Sequence, residues 1–284
     1  MGVDEPKVSY ISKDELICPV CETVFHREEL LSGSGRLIAG NITDELHRLY
    51  EPSARYGEVY PLVYQATVCP QCWFASMDKD FFLLPDAVKD RVMEDQQKRI
   101  AQTSLIFPDV DFHENRGLCS GAASLYLVTY CYDYFSKEVS PTLKQGIASL
   151  RTAWLCEELH VKKPGEHYDW LAVLFKKKAQ FFYVEAVNRE QNGTEPISGI
   201  KNFGPDTDKN YAYEGVLYLS ALLNVKYGPR QDTAARVAYL GEAKRIIARI
   251  FGLGKSSKAK PGPLLEHART IYNDINKELH ETDE

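Results

Sequence analysis

Two copies of one short motif, Cys18-Pro19-Val20-Cys21 and Cys69-Pro70-Gln71-Cys72, decide how the first part of this 284-residue chain is expected to fold. Two residues between the cysteines let both thiolates of one turn face a single ion, and the proline stiffens that turn. Two such turns supply a tetrahedral set of four sulfurs, which suits Zn²⁺. The pattern therefore predicts one structural Zn²⁺ per chain, with no open coordination position, held by Cys18, Cys21, Cys69 and Cys72.

The pattern differs from a compact zinc ribbon in two respects. The two motifs are separated by 47 residues, whereas a gap of about 15–20 is usual, so we expect a long insertion between them. Glycine, which tolerates a positive φ, is usual after the second cysteine, but Glu22 and Trp73 stand there, which predicts strain or an altered turn. Two alternatives stay open: His26 or His47 replaces one cysteine as a ligand, or the two pairs are unrelated and one is redox-active.

The composition is that of a globular chain without a disulfide framework. Hydrophobic residues make up 44% and charged residues 26%, which allows a sizeable core. Seven cysteines are an odd number, and the first residues lack a secretory signal, so we expect reduced thiols and a cytoplasmic location. Cys119, Cys131 and Cys156 lie in apolar surroundings and are expected to be small buried hydrophobes. No run of 18 apolar residues occurs, so no membrane insertion is expected.

The net charge of −6 is concentrated at the start of the chain. Residues 1–80 hold seven basic and thirteen acidic side chains, whereas the remainder holds 27 of each. An acidic N-terminal unit repels phosphate, which argues against nucleic acid as a partner. Nucleotide binding by the glycine-containing segment 251–257 is not expected either, because Arg249 stands where a phosphate loop needs its first glycine.

Breaker residues and periodicity predict three regions. Residues 1–80 form a zinc-ribbon-like α+β unit, with a short helix at 43–50 capped by Thr43 and a strand at 59–68. A helical pattern runs from 78 to 103. Residues 81–117 form a connector that contains most of this helix and an irregular segment after it. Residues 118–284 form a helical domain, so the fold class is mainly α.

Six helices are expected in the C-terminal region, near residues 118–137, 143–160, 166–191, 208–227, 231–251 and 263–281. Paired as about three antiparallel hairpins, they suggest a stack like that of a tetratricopeptide (TPR) array. A generic helical bundle is the alternative. Tyrosines at every fourth position of the first of these helices, Tyr126, Tyr130 and Tyr134, are expected to pack in the core.

Several stretches of the chain together carry a family resemblance. They are Cys18–Cys21, RLIAG at 36–40, TDELHRLYEP at 43–52, YGEVYPLVY at 56–64, VCPQC at 68–72, Asp80–Phe82, ASL…CYDYF at 123–135, LRTAWLCEEL at 150–159 and GPDTDKN at 204–210. In these stretches the chain resembles an uncharacterised bacterial family, a domain of unknown function. The resemblance covers most of the chain and implies a metal-stabilised N-terminus, a TPR-like helical scaffold and a bacterial cytosol. It implies no established activity.

The function expected from these features is that of a zinc-stabilised scaffold or adaptor whose helical domain binds another protein. The candidate contact residues are aromatic or basic: Trp154, Trp170, Tyr211, Tyr213, Lys255, Lys258 and Lys260. The three lysines belong to a basic run that also fits a solvated helix end. A nucleic-acid-associated zinc ribbon is the first alternative, which the acidic charge opposes.

An enzyme is the second alternative. Its site would combine His113, Glu114 and Arg116 in the irregular segment 104–117, or His160 with Glu157 and Glu158. Neither set has the spacing of a known catalytic group, so the chain is not expected to be an enzyme. The loop at 204–211 is expected to end in a helix cap formed by Asp206 and Asp208, or else to form a polar contact surface.

Overall fold

The computed structural model describes residues 7–197, 200, 202–252 and 262–281. Within these residues the chain is mainly helical and begins with small antiparallel strand pairs, which confirms the predicted class. The strands are β1 (Ser9–Ile17), β2 (Val24–Leu30), β3 (Ile38–Ile42), β4 (Arg48–Glu51), β5 (Ala66–Val68) and β6 (Ala75–Met77). The helices are α1 (Lys89–Glu94), α2 (Gln96–Ile106), α3 (Leu118–Cys131), α4 (Pro141–Lys162), α5 (Tyr168–Gln191), α6 (Ala212–Tyr227), α7 (Thr233–Gly252) and α8 (Gly262–Glu281).

The strands pair only with their neighbours in the chain. β1 pairs with β2, β3 with β4 and β5 with β6, each antiparallel. The first cysteine motif forms the turn between β1 and β2, and the second forms the turn between β5 and β6. The β3–β4 hairpin lies in the long insertion between the two motifs.

The prediction of a helix at 43–50 is wrong. Thr43 closes a tight turn instead, because its N–H donates to the His47 carbonyl (2.8 Å) and its Oγ1 accepts from the His47 N–H (3.2 Å). Leu46, inside this turn, is buried and has a φ of 61°, which a helix does not allow. The turn leads directly into β4.

Proline accounts for two further differences from the predicted elements. Pro61 begins a short 3₁₀ helix, Pro61–Tyr64, so only Ala66–Val68 of the strand predicted at 59–68 is extended. Pro85 is extended (φ −63°, ψ 137°), so the helix predicted at 78–103 is replaced by two single 3₁₀ turns followed by α1 and α2. A proline ring fixes φ and favours the first turn of a helix over its interior.

The six C-terminal helices are present close to their predicted positions, with shifted ends. The first ends at Cys131 and not near 137, and the fourth begins at Ala212 and not near 208. Each helix from α3 to α8 packs against the next one along the chain, and α6 also contacts α8. No helix in the described part of the chain is long and apolar enough to cross a membrane.

One continuous apolar core joins the cysteine turns to the helices. A row of aromatic rings shows this: Phe25 on β2 packs on Phe81 (centroids 5.8 Å apart), Phe81 on Phe74 (5.4 Å), and Phe74 on Phe135 after α3 (6.1 Å). The three tyrosines of α3 and its extension pack on this core as predicted, and Cys131 and Cys156 are fully buried.

The two parts of the fold approach each other closely at Gly121. A Cβ atom added to this α3 residue would lie 2.9 Å from the Cα of Val63 in the Pro61–Tyr64 helix. Real side chains do not tolerate that distance to a backbone atom. Glycine at this position therefore allows α3 to pack directly against the insertion.

We expect Gly121→Ala to destabilise the protein by about 1–3 kcal/mol, because the added methyl group overpacks the contact with Val63. Gly241→Ala is the matched control, because a Cβ at this α7 position would meet nothing within 4 Å. Alanine there raises helix propensity and is expected to stabilise the protein by up to about 1 kcal/mol. Denaturant unfolding of both variants measures the difference, and equal effects at the two sites would contradict the close contact.

Candidate metal centre

The four motif cysteines come together in one cluster. Their Sγ atoms all lie within 4.8 Å of one another, and within the described residues no other histidine, cysteine or acidic side chain joins a group of this kind. Each close pair takes one sulfur from each turn: Cys18 with Cys72 at 3.6 Å and Cys21 with Cys69 at 3.5 Å. Tetrahedral Zn–S bonds of about 2.3 Å place neighbouring sulfurs about 3.8 Å apart. The donor set therefore fits a tetrahedral thiolate metal site.

The two turns share one backbone geometry. In the first, the Glu22 N–H donates to the Cys18 carbonyl (3.0 Å), and in the second the Trp73 N–H donates to the Cys69 carbonyl (2.9 Å). Both Glu22 (φ 61°) and Trp73 (φ 55°) adopt the left-handed conformation that glycine favours. The strain predicted at these two positions is therefore present in the backbone.

Hydrogen bonds among the thiols shift their pKa values in different directions. Hydrogen bonds from Cys18 and Cys72 lower the pKa of Cys69. Hydrogen bonding to Cys69 raises the pKa of Cys18 to about 12, and hydrogen bonding to Cys18 and Cys69, with burial, raises the pKa of Cys72. The raised pKa values mean that part of the cluster stays protonated near neutral pH. A metal ion must displace these protons, so its affinity falls as the pH is lowered.

A buried arginine supports the second turn. Arg99 on α2 is 1% exposed, and its guanidinium donates to the Cys72 carbonyl from Nε (3.2 Å) and Nη2 (2.6 Å) and to the Val92 carbonyl from Nη1 (3.0 Å). Four thiolates around a divalent ion carry a net charge of −2. A buried positive charge bonded to the ligand turn offsets part of that charge, which burial would otherwise make costly.

The chain also matches a known family. Over residues 11–275 it matches the family described as "Uncharacterized protein conserved in bacteria (DUF2225)". The chain belongs to this family. A relative from Borreliella burgdorferi, described as an uncharacterized protein, is 38% identical over 273 residues, which cover 96% of this chain and 98% of the relative. No solved structure matches the chain.

The two histidines of this DUF2225 protein that were considered as metal ligands lie outside the cysteine cluster. His26 is an exposed residue of β2, opposite Glu15 of β1. His47 bonds through Nδ1 to Asp206 Oδ2 (2.5 Å). Replacement of a cysteine ligand by either histidine is therefore wrong for this structure.

The caps predicted in the 204–211 loop are also wrong. Asp206 is fully buried and hydrogen-bonds to His47, while Asp208 forms an ion pair with Arg48 (2.9 Å). α6 begins only at Ala212, too far along for either aspartate to cap it. The structure thus brings the 204–211 loop against the 43–52 segment. Both stretches are among those that carry the family resemblance, and no other sequence feature connects them.

The residues predicted to contact a partner differ in exposure. Trp170 is 61% exposed and Tyr213 is half-buried. Trp154 and Tyr211 are each 2% exposed, so their use as surface anchors is wrong for this structure. Lys255, Lys258 and Lys260 lie outside the described residues.

The two residue sets considered for an enzyme do not assemble as catalytic groups. No hydrogen bond or ion pair among the described residues joins His113, Glu114 and Arg116, and the Arg116 guanidinium lies over the Phe112 ring. The second set diverges along α4. Glu157 bonds to Lys176, Glu158 lines a cavity, and His160 Nδ1 lies 3.7 Å from Asp169.

We expect Glu22→Gly to be more stable than Glu22→Ala by about 1 kcal/mol. Both variants remove the exposed side chain, but only glycine relieves the left-handed backbone at this position. Denaturant unfolding of the metal-loaded protein measures the difference. Equal stability of the two variants would show that the backbone at Glu22 is not strained.

Proposed function

We propose that the cysteine cluster holds one structural Zn²⁺ per chain. Four sulfurs fill a tetrahedral shell and leave no position for substrate or water. Cys18, Cys69 and Cys72 are fully buried, which favours a structural ion over an exchangeable one. All seven cysteines are free thiols, which suits the reducing cytoplasm that we propose as the location.

Elemental analysis of the purified chain tests this proposal. We expect one zinc per chain, and loss of the zinc together with N-terminal folding when any of Cys18, Cys21, Cys69 or Cys72 is changed to serine. Cys119→Ser is the control, because Cys119 is a half-buried thiol outside the cluster and its loss should leave the zinc in place. A chain without zinc, or one that retains it after loss of one whole motif, would contradict a shared site.

We propose that the protein acts as a scaffold that binds another protein through its TPR-like helices. The successive packing of α3 to α8 along the chain supports a stacked arrangement. The observation that carries the proposal is an exposed apolar stripe on α5: Trp170 is 61% exposed and Phe181 58% exposed, with Val173 and Leu174 between them. Spacings of three, four and seven residues place all four side chains on one helix face.

The chemistry of the stripe indicates the kind of partner. Exposed aromatic rings are typical anchors of protein interfaces, and Lys177 is exposed within the same stretch of α5. We therefore propose a protein segment with apolar anchors and acidic flanking residues. The acidic balance of residues 1–80 supports a protein partner over a nucleic acid. The absence of enzymatic activity stays a prediction.

Affinity capture with matched variants tests the scaffold. We expect the wild-type chain to retain a specific protein from the lysate of its own organism, and Trp170→Ala combined with Phe181→Ala to reduce that capture at least tenfold. Phe82→Ala is the control, because Phe82 is an equally exposed aromatic residue (60%) outside α5. Capture that is equal in all three chains, or no capture by any, would contradict the proposed surface.

A further inference from the structure

A small cavity lies between the insertion and α4, away from the cysteine cluster. Its volume is about 240 Å³, and its walls include Tyr50, Tyr60 and Leu155 together with His47 and Glu158. A second cavity of about 180 Å³ shares His47, Trp154 and Glu158 with the first. His47 and Glu158 therefore face a common space that neither the metal centre nor the α5 stripe uses.

His47 is held rigidly at the wall of this space. Its Nδ1 donates to Asp206 Oδ2 (2.5 Å), and its ring stacks on Trp154 with centroids 4.1 Å apart and planes 11° apart. Burial would raise the pKa of Asp206, but its bonds from His47 and from the backbone N–H groups of Thr207 and Arg48 outweigh burial and lower it. Asp206 is thus ionised and fixes the histidine proton on Nδ1. The Nε2 edge is the part of the ring left to the cavities.

Most of the charges around the cavities are already neutralised within the protein. Arg48 pairs with Asp208, Glu58 with Lys162, Glu157 with Lys176, Asp44 with Lys226, and Glu45 with both Lys176 and Lys226. Glu158 forms no ion pair within 4 Å with any described residue. Burial raises the pKa of its carboxyl, while His47, the Tyr60 hydroxyl and the more distant Lys162 lower it by a smaller amount. The cavity therefore contains one carboxylate that no cationic side chain of the described residues contacts directly.

We propose that this cavity binds a small molecule that carries a primary ammonium group on an apolar or aromatic stem, with Glu158 as its counter-charge. The ammonium donates to the Glu158 carboxylate, and the His47 ring lines the same space, where its resonance reports binding. The Tyr50 and Tyr60 rings and Leu155 cover the stem, and aromatic faces attract a cation. The volume lies below the about 300–1,000 Å³ of drug-sized sites, so the ligand is a small amine.

Benzylamine is the probe, and benzyl alcohol is its neutral counterpart of nearly the same shape. Each is titrated into the full-length zinc-loaded chain labelled with ¹⁵N-histidine, with the His47 Nε2 resonance assigned from a His47→Gln variant. We expect benzylamine to shift this resonance saturably, with a dissociation constant below about 1 mM. Benzyl alcohol should bind at least tenfold more weakly, because it leaves the Glu158 charge unpaired.

Glu158→Gln keeps the size of the side chain and removes its charge, so it should weaken benzylamine binding at least tenfold. Glu157→Gln is the matched control: it makes the same change one residue earlier on α4, at a carboxylate already bonded to Lys176, and should leave binding unchanged. Thermal melting checks that both variants remain folded. Equal binding of the amine and the alcohol, equal weakening by the two variants, or no saturable shift would overturn the proposal.

Discussion

The four clustered sulfurs come from the tips of two hairpins, and Cys21 and Cys69, which meet in the cluster, are 48 residues apart in sequence. The β5–β6 hairpin has only three residues in each strand, and an isolated two-stranded pair is marginal by itself. An ion held by all four sulfurs, as we propose, would fix both hairpin tips and close the chain between them into a loop. Loop closure is what a metal cross-link contributes to folding, so an ion bound here would help to position the insertion.

Polar contacts at the centre of the insertion between the two cysteine motifs join it to the helices. The tight turn at Thr43–His47 presents Glu45 and His47 to α4, where Trp154 donates to Glu45 (2.7 Å) and stacks under His47. Tyr218 on α6 donates to the Asp44 carbonyl (2.7 Å). Arg99 fastens the second cysteine turn to α2 in the same manner. The N-terminal strands and the helices thus share both a core and a set of buried polar contacts.

The cysteine cluster, the α5 stripe and the His47 cavity lie at three different places in the fold. The cysteine cluster brings four sulfurs together, enough to fill a tetrahedral metal site. The α5 stripe faces solvent on the surface of the helices. The His47 cavity lies where the insertion meets α4, so its shape depends on the position of the insertion. A small-molecule site at such a junction would be sensitive to the state of the metal centre, because moving the insertion moves His47 relative to Glu158.

The sequence predicted what depends on short-range spacing. The ligand set followed from two CPxC motifs, the strained turns followed from Glu22 and Trp73, and the C-terminal helices followed from periodicity and from breakers such as Gly228 and Pro229. Local patterns were misleading where tertiary contacts outweighed them. Thr43 resembled a helix cap but closes a turn, because Leu46 is buried in a left-handed conformation that only the surrounding core can stabilise.

The sequence by itself therefore determined the cysteine cluster, the helical class and the family, since motif spacing and hydrophobic periodicity are local properties of a chain. Only the tertiary structure decided which polar residues meet. His47 and Asp206 are 159 residues apart, and Trp154 and Glu45 are 109 apart. No local pattern encodes such pairs, because their energy arises only when packing removes both partners from water and leaves each as the other's hydrogen-bond partner.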